Sequence, residues 1–292
     1  MKHVFCHLLR PPLHVNPMNS FSLAPVSPAP ASCKICGGAA ALYGVIDFHK
    51  SCVEPSGFRL PVSGLPIYYR RCAACGFLFT DAFDGWSEED FKTHIYNDGY
   101  QAVDPDYWQV RPRSNAQMVA RLWAAQRAET RVLDFGGGND VFCTVLRDAG
   151  FPAAVTYDPM VPEHAIRPEG KFDLVTCFET LEHMPDPNAG IALIIDCLTE
   201  TGLVFYSTYA QPAEFDKEGL AWWYVGPRNG HISIFSRQAL SIAWGRHGYR
   251  SVSFSDNFHL AFRRLPAFLA HLQTRADDTN VGNSAPLPQQ LD

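Results

Sequence analysis

No apolar run in this sequence of 292 residues approaches the ~20 residues that a helix needs to span a bilayer. The first residues include a Lys and an Arg, but no continuous apolar segment follows them, so the sequence predicts no signal peptide. Basic residues are also in deficit, because 24 Lys and Arg face 30 Asp and Glu and leave a net charge of −6. A general nucleic-acid binder is normally basic. We therefore expect no membrane partner and do not favour a nucleic-acid partner.

The cysteines do not form the even set that is typical of a disulfide framework. There are nine, and four of them fall in two C-x-x-C pairs, Cys33 with Cys36 and Cys72 with Cys75. Paired thiols of this kind indicate metal binding in a reducing compartment, so we expect a cytoplasmic protein.

A glycine follows the second cysteine of each pair, which permits the tight turn that directs backbone N–H groups at sulfur. Four thiolates are a ligand set that structural zinc prefers, and they leave no open position for catalysis. Strand-like residues at 41–48 and 65–71 lie between the pairs, which favours a zinc ribbon with an inserted loop. Two unrelated pairs or a redox C-x-x-C are the alternatives. Cys52 lies in the loop, and we assign it no role.

A third glycine is missing where a dinucleotide-binding protein would have one. Residues 131–140 read R-V-L-D-F-G-G-G-N-D, and the G-x-G-x-x-G pattern counted from Gly136 would need glycine where Val141 stands. The order D-x-G-x-G instead resembles motif I of class I S-adenosylmethionine (SAM) methyltransferases, with Asp140 at the usual third glycine. The resemblance implies that SAM is bound at Asp134, Gly136 and Gly138.

An acid stands about 20 residues beyond the glycines, where nucleotide-binding folds place a carboxylate for the ribose hydroxyls. This is Asp158, at the end of a predicted strand at 153–157. A solvated acid at a strand end is the alternative. Residues 159–171 are too few for a helix and another strand, so the sequence assigns no residue to adenine recognition.

Residues 172–187 carry a second resemblance. They read F-D-L-V-T-C-F-E-T-L-E-H-M-P-D-P and are similar to the motif that follows the fourth strand in many small-molecule SAM methyltransferases. The resemblance covers roughly residues 114–262. It implies that backbone near Phe178 and Glu179 borders the methionine part of SAM.

We therefore predict an α/β fold with a Rossmann-like class I methyltransferase sheet, parallel except for an antiparallel C-terminal hairpin, and a small N-terminal zinc-ribbon domain. An amphipathic helix is expected at 114–128, with Met118, Leu122 and Ala125 on its buried face. The hairpin is expected from strands at 249–254 and 258–262. The predicted divisions are a disordered leader (1–31), the zinc ribbon (32–80), a linker or lid (81–113), the methyltransferase domain (114–273) and a disordered tail (274–292).

The linker is aromatic and acidic, with a short helix predicted after Ser87. It is either a packing seam between the two domains or a lid over the cofactor, in which Tyr96, Tyr100 and Arg111 take part.

Two histidines follow predicted strand ends, and either suits a general base near neutral pH. We favour His231, in the long loop at 209–235, as the base, whereas His183 would shape the cofactor pocket or simply cap a turn. Arg228 and Asn229 of the same loop could bind a polar or anionic substrate. The aromatic run at 222–224 could stack on a sugar face, and packing of the loop is the alternative.

A four-cysteine zinc domain joined to a SAM domain resembles the methyltransferases of nucleotide-linked sugars and other small biosynthetic intermediates. The resemblance implies SAM and structural Zn²⁺ as cofactors and a small-molecule acceptor, such as a nucleotide-linked sugar or a glycan intermediate. The alternative is a catalytically weak SAM-fold protein whose ribbon docks a partner protein. The acidity disfavours a third reading, an RNA methyltransferase. The acceptor atom and the oligomeric state do not follow from the sequence.

Overall fold

A computed structural model describes residues 23–24, 26–27 and 29–270 of the chain. The predicted tail lies outside the described residues, and so does most of the predicted leader. Within the described part, no helix combines the length and apolar character required to cross a membrane.

Strands and helices alternate along much of the described chain. In chain order, the strands are β1 (Ala31–Ser32), β2 (Ala39–Asp47), β3 (Pro66–Cys72), β4 (Leu78–Phe79), β5 (Val132–Phe135), β6 (Ala154–Tyr157), β7 (Phe172–Phe178), β8 (Leu198–Ser207), β9 (Ser233–Ile234), β10 (Arg250–Ser253) and β11 (Phe258–Phe262). The helices are α1 (Glu88–His94), α2 (Tyr100–Val103), α3 (Val110–Leu122), α4 (Val141–Asp148), α5 (Pro187–Asp196), α6 (Phe215–Glu218) and α7 (Arg237–Gly245).

The larger sheet has six strands in the order β10-β11-β8-β7-β5-β6. Strands β6, β5, β7 and β8 are parallel, and the β10–β11 hairpin joins antiparallel at the β8 edge. The Rossmann-like sheet with its antiparallel C-terminal hairpin is therefore confirmed. As the short interval predicted, no strand lies between β6 and β7 in these described residues.

Helices cover both faces of this sheet, which is why its central strands are apolar on both sides. Neighbouring residues of one strand point to opposite faces, so Val132 packs in a cluster with α3 and α4, whereas Leu133 packs in another with α5 and α7. Because β6, β5, β7 and β8 are parallel, their carboxyl ends lie at one edge of the sheet, where the glycine loop begins.

The smaller sheet unites distant parts of the chain. Its order is β1-β2-β3-β4-β9, so the ribbon strands predicted between the cysteine pairs are present as β2 and β3. The fifth strand, β9, comes from the long loop after β8 and pairs with β4, with Leu78 opposite Ile234. The rings of Phe77 and Phe235 lie 5.0 Å apart behind this pair. The ribbon and the larger sheet thus share one hydrophobic cluster.

The prediction of a helix at 114–128 is wrong at both ends. The helix begins earlier, at Val110, because Pro112 lies in the first turn, where its missing N–H needs no partner. It ends at Leu122 because Trp123 turns into the core and stacks on Phe205. The buried face is formed by Asn115, Ala116 and Val119, and the expected face residue Ala125 is exposed.

The predicted short helix after Ser87 is confirmed as α1. Ser87 and Asp90 form a reciprocal capping box, and the first turn is acidic, which complements the helix dipole. Phe91 and Ile95 pack with Tyr100 and Trp222 in a third hydrophobic cluster, together with residues of the ribbon. The segment that follows the ribbon is therefore packed against the ribbon and against the loop after β8.

The close approach of the glycine loop to β5 gives a stability prediction. A Cβ at Gly137 would lie 2.3 Å from Asp134 Oδ2 and 2.9 Å from Thr156 Cγ2. We expect Gly137→Ala to lower the free energy of unfolding by roughly 1–3 kcal/mol, as overpacking does. Urea unfolding measures the change. Gly85→Ala is the control, because a Cβ there meets nothing within 4 Å. Equal stability of the two variants would contradict the tight packing under the loop.

Candidate active site

The glycine loop leaves the end of β5 and turns sharply before α4. Gly136 has φ +74° and Gly138 has φ +57°, a conformation that favours glycine. A Cβ at Gly136 would also lie 2.5 Å from the Thr180 side chain. The loop therefore depends on glycine for both its backbone angles and its space.

Asp158 lies at the end of β6 and faces this loop. Its Oδ2 accepts the Gly138 N–H at 2.9 Å, and its Oδ1 accepts the Met160 N–H at 2.8 Å. Burial raises the pKa of this carboxyl. Each oxygen keeps a second lone pair, so the carboxylate can still accept bonds from a diol.

Asp134 lies beneath the loop rather than at its surface. It is 4% exposed, and its Oδ1 accepts the Thr176 hydroxyl at 2.7 Å. Burial raises the pKa of Asp134 to about 7. Asp140, which replaces the third glycine, accepts the Thr156 hydroxyl at 2.7 Å and pairs with Arg147. Both acids hold the loop and the start of α4 in place.

Glu179 ends β7 in a strained conformation. It has φ +50°, the only positive value among the described non-glycine residues. Its N–H donates to Ser207 Oγ at 2.9 Å, and Ser207 Oγ donates to Glu179 Oε1 at 2.8 Å. Phe178 packs behind it, 5.1 Å from the Phe205 ring. Such strain at a strand end is typical of ligand-binding sites.

A cavity of about 310 Å³, which we call the central pocket, opens at this edge of the sheet. Its walls come from the ribbon loop, from residues 103–115, from the ends of β7 and β8, and from the loop after β8. The residues that line it are Cys52, Val53, Val103, Asp104, Pro105, Asp106, Arg111, Asn115, Glu179, Ser207, Tyr209, Trp223, Tyr224, Asn229, His231, Asn257 and Phe258.

His231 lies in the wall of the central pocket and is 6% exposed. Its Nδ1 is 2.8 Å from the Tyr224 carbonyl oxygen and 3.4 Å from Cys52 Sγ. A carbonyl oxygen can only accept, so Nδ1 carries the proton and Nε2 keeps its lone pair. Burial lowers the pKa of His231 well below its ordinary value.

His183 lies beside His231, with 4.9 Å between the ring centroids. Its Nδ1 is 3.2 Å from the Gly230 carbonyl oxygen, which again assigns the proton to Nδ1. Burial lowers the pKa of His183 to about 4. The two histidines that the sequence placed after separate strands are thus neighbours.

The sequence does not reveal Glu182 and Cys52 as site residues. Glu182 is fully buried next to the two histidines, and its Oε1 accepts the Tyr224 hydroxyl. Burial, with a smaller contribution from Glu179, raises the pKa of Glu182 to about 8. Its only sequence signal is the L-E-H motif, which does not show that the side chain points inward. Cys52 comes from the ribbon loop, 179 positions from His231, and no local pattern indicates that contact.

Some of the other expected site residues line the central pocket, and others lie outside its lining. Arg111 lines the central pocket, where both of its Nη atoms donate to Asp104 and Nη1 lies 3.9 Å from Glu179 Oε2. Tyr96 stacks edge-on against His183, with 6.0 Å between centroids, behind the pocket wall. Arg228 donates to the Ile95 carbonyl and to Asn97.

Asn229 bonds to Cys52 and Val103, so its amide, like the Arg228 guanidinium, holds the loop in place. In the aromatic run, Trp222 is buried in packing, whereas Trp223 is 36% exposed and lines the pocket.

The four paired cysteines lie together away from the central pocket lining. Cys33 and Cys75 have their sulfurs 3.6 Å apart, and those of Cys36 and Cys72 are 3.4 Å apart. Backbone N–H groups of Ile35 and Gly38 point at two of these sulfurs. Zinc–sulfur bonds of about 2.3 Å would put tetrahedral sulfurs roughly 3.8 Å apart. The four cysteines therefore fit a zinc ribbon.

A family model described as a methyltransferase domain matches residues 107–253. Among curated proteins, the ubiquinone biosynthesis O-methyltransferase of Glaesserella parasuis serovar 5 (strain SH0165) is 38% identical over 20% of this chain and 25% of the relative. The protein of that name from Escherichia coli O157:H7 is 37% identical over 42% of this chain and 62% of the relative. The chain thus spans less than two thirds of these relatives.

Solved structures resemble the chain more loosely. Magnesium protoporphyrin IX methyltransferase from Synechocystis PCC 6803, with bound SAH, has a TM-score of 0.38 and 16% identity over 52% of this chain and 83% of that one. An amino pentose methyltransferase from Micromonospora echinaspora, with bound SAM, has a TM-score of 0.39 and 16% identity over 58% of this chain and 98% of that one.

The cysteine geometry predicts a change in zinc content. Cys36→Ser and Cys75→Ser should each lower the zinc retained after gel filtration by about one equivalent per chain, because each removes one of the thiolates that a tetrahedral site needs. Atomic absorption measures the content. Cys197→Ser, at a buried cysteine outside the pairs, should keep the zinc content of the parent protein. Equal zinc in all four proteins would exclude the ribbon site.

Asp158 gives a prediction for cofactor affinity. Asp158→Ala should weaken SAM binding by ~1–3 kcal/mol, because the ribose hydroxyls and the Gly138 N–H lose their acceptor. Isothermal titration with SAM measures this change. Asp148→Ala, at the far end of α4, removes an exposed acid and should bind SAM as the parent does. Unchanged affinity of Asp158→Ala would refute the ribose assignment.

Proposed function

The chain belongs to the methyltransferase-domain family, and from that membership we propose that it is a SAM-dependent methyltransferase acting on a small-molecule acceptor. One observation carries the proposal. The glycine loop with Asp158 and the central pocket with His231 meet at the same edge of the sheet, where open α/β sheets bind ligands. A donor site and an acceptor site side by side are what methyl transfer needs.

SAM fits the donor side by its chemistry. Asp158 supplies acceptor atoms for a diol, and the backbone of Glu179, which follows β7 at the edge of the central pocket, is expected to border the methionine part of SAM. The sulfonium already activates the methyl group, so the protein's main task is to align it with the acceptor atom. Arg111 lies beside Glu179 and Asp104, and with them it would border the methionine end.

The acceptor side is polar with aromatic walls. Asn115 and Asn257 offer hydrogen-bonding groups, and Tyr209 and Trp223 offer aromatic surface. This combination suits a sugar, whose hydroxyls need partners and whose faces pack on rings. Such a lining supports a nucleotide-linked sugar or a glycan intermediate as the acceptor.

A second, smaller pocket supports the nucleotide-linked form. It shares Trp223 with the central pocket, and its lining includes the cations Lys50 and Arg59. A diphosphate next to a sugar carries negative charge that Arg59 would balance. Lys50 already donates to the Trp222 and Val225 carbonyls, and Glu54 adds a negative charge to the same lining. The aromatic loop would then lie between the sugar and the nucleotide parts of the acceptor.

His231 is the residue that we assign to activation of the acceptor. The lone pair on its Nε2 can accept the proton of an acceptor hydroxyl as the oxygen attacks the methyl carbon. The methyl group leaves the sulfonium, which becomes a neutral thioether. His183 packs beside His231 and would keep its ring in position.

His231→Ala should therefore lower turnover by ~10²–10⁴-fold, the usual contribution of a positioned base. Its SAM affinity should stay close to that of the parent, because the glycine loop and Asp158 hold the cofactor. His247→Ala is the matched control, at a histidine outside the pocket lining.

The measurement is a screen of nucleotide-linked sugars with SAM, read by mass spectrometry for products that gain a methyl group. The catalytic proposal fails if SAM binds and no acceptor in the screen gains a methyl group. The assignment of His231 alone fails if products form and His231→Ala matches His247→Ala.

A further inference from the structure

Three side chains with lone pairs converge beside the central pocket. One ligand-type atom from each of Glu182, His183 and His231 lies within 4.8 Å of the others. Glu182 and His183 belong to a single-turn 3₁₀ helix after β7, and His231 belongs to the loop before β9. The cluster is thus built from two chain segments that the fold holds side by side.

Both imidazoles are oriented as metal-binding histidines are. Each Nδ1 faces a backbone carbonyl oxygen, that of Gly230 for His183 and that of Tyr224 for His231. The proton on Nδ1 leaves Nε2 as a bare lone pair, and a carbonyl on the second nitrogen is the usual support of a histidine ligand. Among the described residues, neither Nε2 has a hydrogen-bond partner.

One oxygen of the Glu182 carboxyl group also lacks a hydrogen-bond partner. Its Oε1 accepts the Tyr224 hydroxyl, but its Oε2 is buried and has no hydrogen-bond partner among the described residues. A buried carboxylate oxygen without a donor or a cation is costly. Three groups with acceptor atoms thus lie together, and one of these atoms, Glu182 Oε2, is buried without a hydrogen-bond partner among the described residues.

We propose that Glu182, His183 and His231 bind one divalent cation at a site separate from the four cysteines. Two imidazoles and one carboxylate suit first-row cations such as Mn²⁺ and Zn²⁺, whereas the thiolate site is soft and selects zinc. Three protein ligands also leave coordination positions open, as in catalytic rather than structural sites.

The catalytic consequence of this site rests on the proposed methyltransferase function. His231 borders the central pocket, so an acceptor hydroxyl can coordinate the cation there. The cation lowers the pKa of the hydroxyl, whose proton passes to solvent water. The oxygen anion then displaces the methyl group from the sulfonium and leaves the thioether. His231 activates the acceptor in this case as a metal ligand instead of as a base.

The competing arrangement is a proton in place of the cation, carried by Glu182 and donated to one Nε2. It satisfies the same lone pairs but binds no metal. Mn²⁺ separates the two arrangements, because this hard cation avoids thiolates and leaves the cysteine site silent. The electron paramagnetic resonance signal of free Mn²⁺ falls as the ion binds to protein.

The full-length protein should bind about one Mn²⁺ per chain, and Glu182→Gln and His183→Gln should each weaken that binding at least ~10-fold. His247→Gln should bind as the parent does. Circular dichroism and SAM titration of each variant check that it has folded. Each of the two ligand variants is a separate test of the site. Product formation should rise when Mn²⁺ or Zn²⁺ is returned to protein that keeps its ribbon metal.

The metal proposal is overturned if neither Mn²⁺ nor Zn²⁺ adds about one equivalent per chain beyond the ribbon metal. It is also overturned if folded Glu182→Gln and His183→Gln bind the ion as the parent does. Methyl transfer that continues in either case leaves the methyltransferase function standing. Metal binding without methyl transfer to any acceptor would instead support the site and contradict the function.

Discussion

The position of His231 depends on how the loop before β9 is held between the ribbon and the methyltransferase sheet. The Thr80 N–H donates to the Ile232 carbonyl, and the Ile232 N–H donates to the Glu182 carbonyl, so the loop bridges the two sheets. The Tyr69 hydroxyl, from β3, donates to the His231 carbonyl at 2.7 Å. Because β9 then pairs with β4, a few backbone hydrogen bonds fix the imidazole between two sheets. The ribbon is in this sense a wall of the candidate site rather than an appended module.

Burial explains the electrostatics of the site. Glu182 and the two histidines lie in an interior where the charged form of each group is disfavoured, which raises the carboxyl pKa and lowers both imidazole pKa values. Neutral imidazoles are the form that binds a cation, whereas the same burial makes each imidazole a weaker proton acceptor than a solvated histidine. Cys52 follows the same rule, because burial raises the pKa of its thiol. The packing that buries these side chains therefore also determines which protonation state each of them prefers.

The sequence predicts well those features that adjacent residues create. The glycine loop, the Asp158 position, the ribbon strands and the α1 cap each depend on residues that are close in the chain. The prediction of a helix at 114–128 is wrong because the helix end is decided by Trp123 packing on Phe205, a tertiary contact that helical periodicity does not contain. The sequence does not reveal Glu182 and Cys52 as site residues for the same reason, because their positions also depend on tertiary contacts. A motif shows that a glutamate is present, but only the folded chain shows which atom it faces.

The shared packing also gives the cysteine site a role beyond local stability. Cys75 supplies a carbonyl oxygen that accepts the Ser236 hydroxyl, and Ser236 caps α7 directly after β9. The Cys75 turn, β4, β9 and the His231 loop are therefore connected by direct contacts. A structural metal contributes to folding because its site does not pre-exist in the unfolded chain. If the four cysteines bind zinc as we propose, loss of the metal would loosen the turn at Cys75 and with it the contact to Ser236 after β9. The ribbon is therefore connected to the position of His231 through the geometry of the loop before β9.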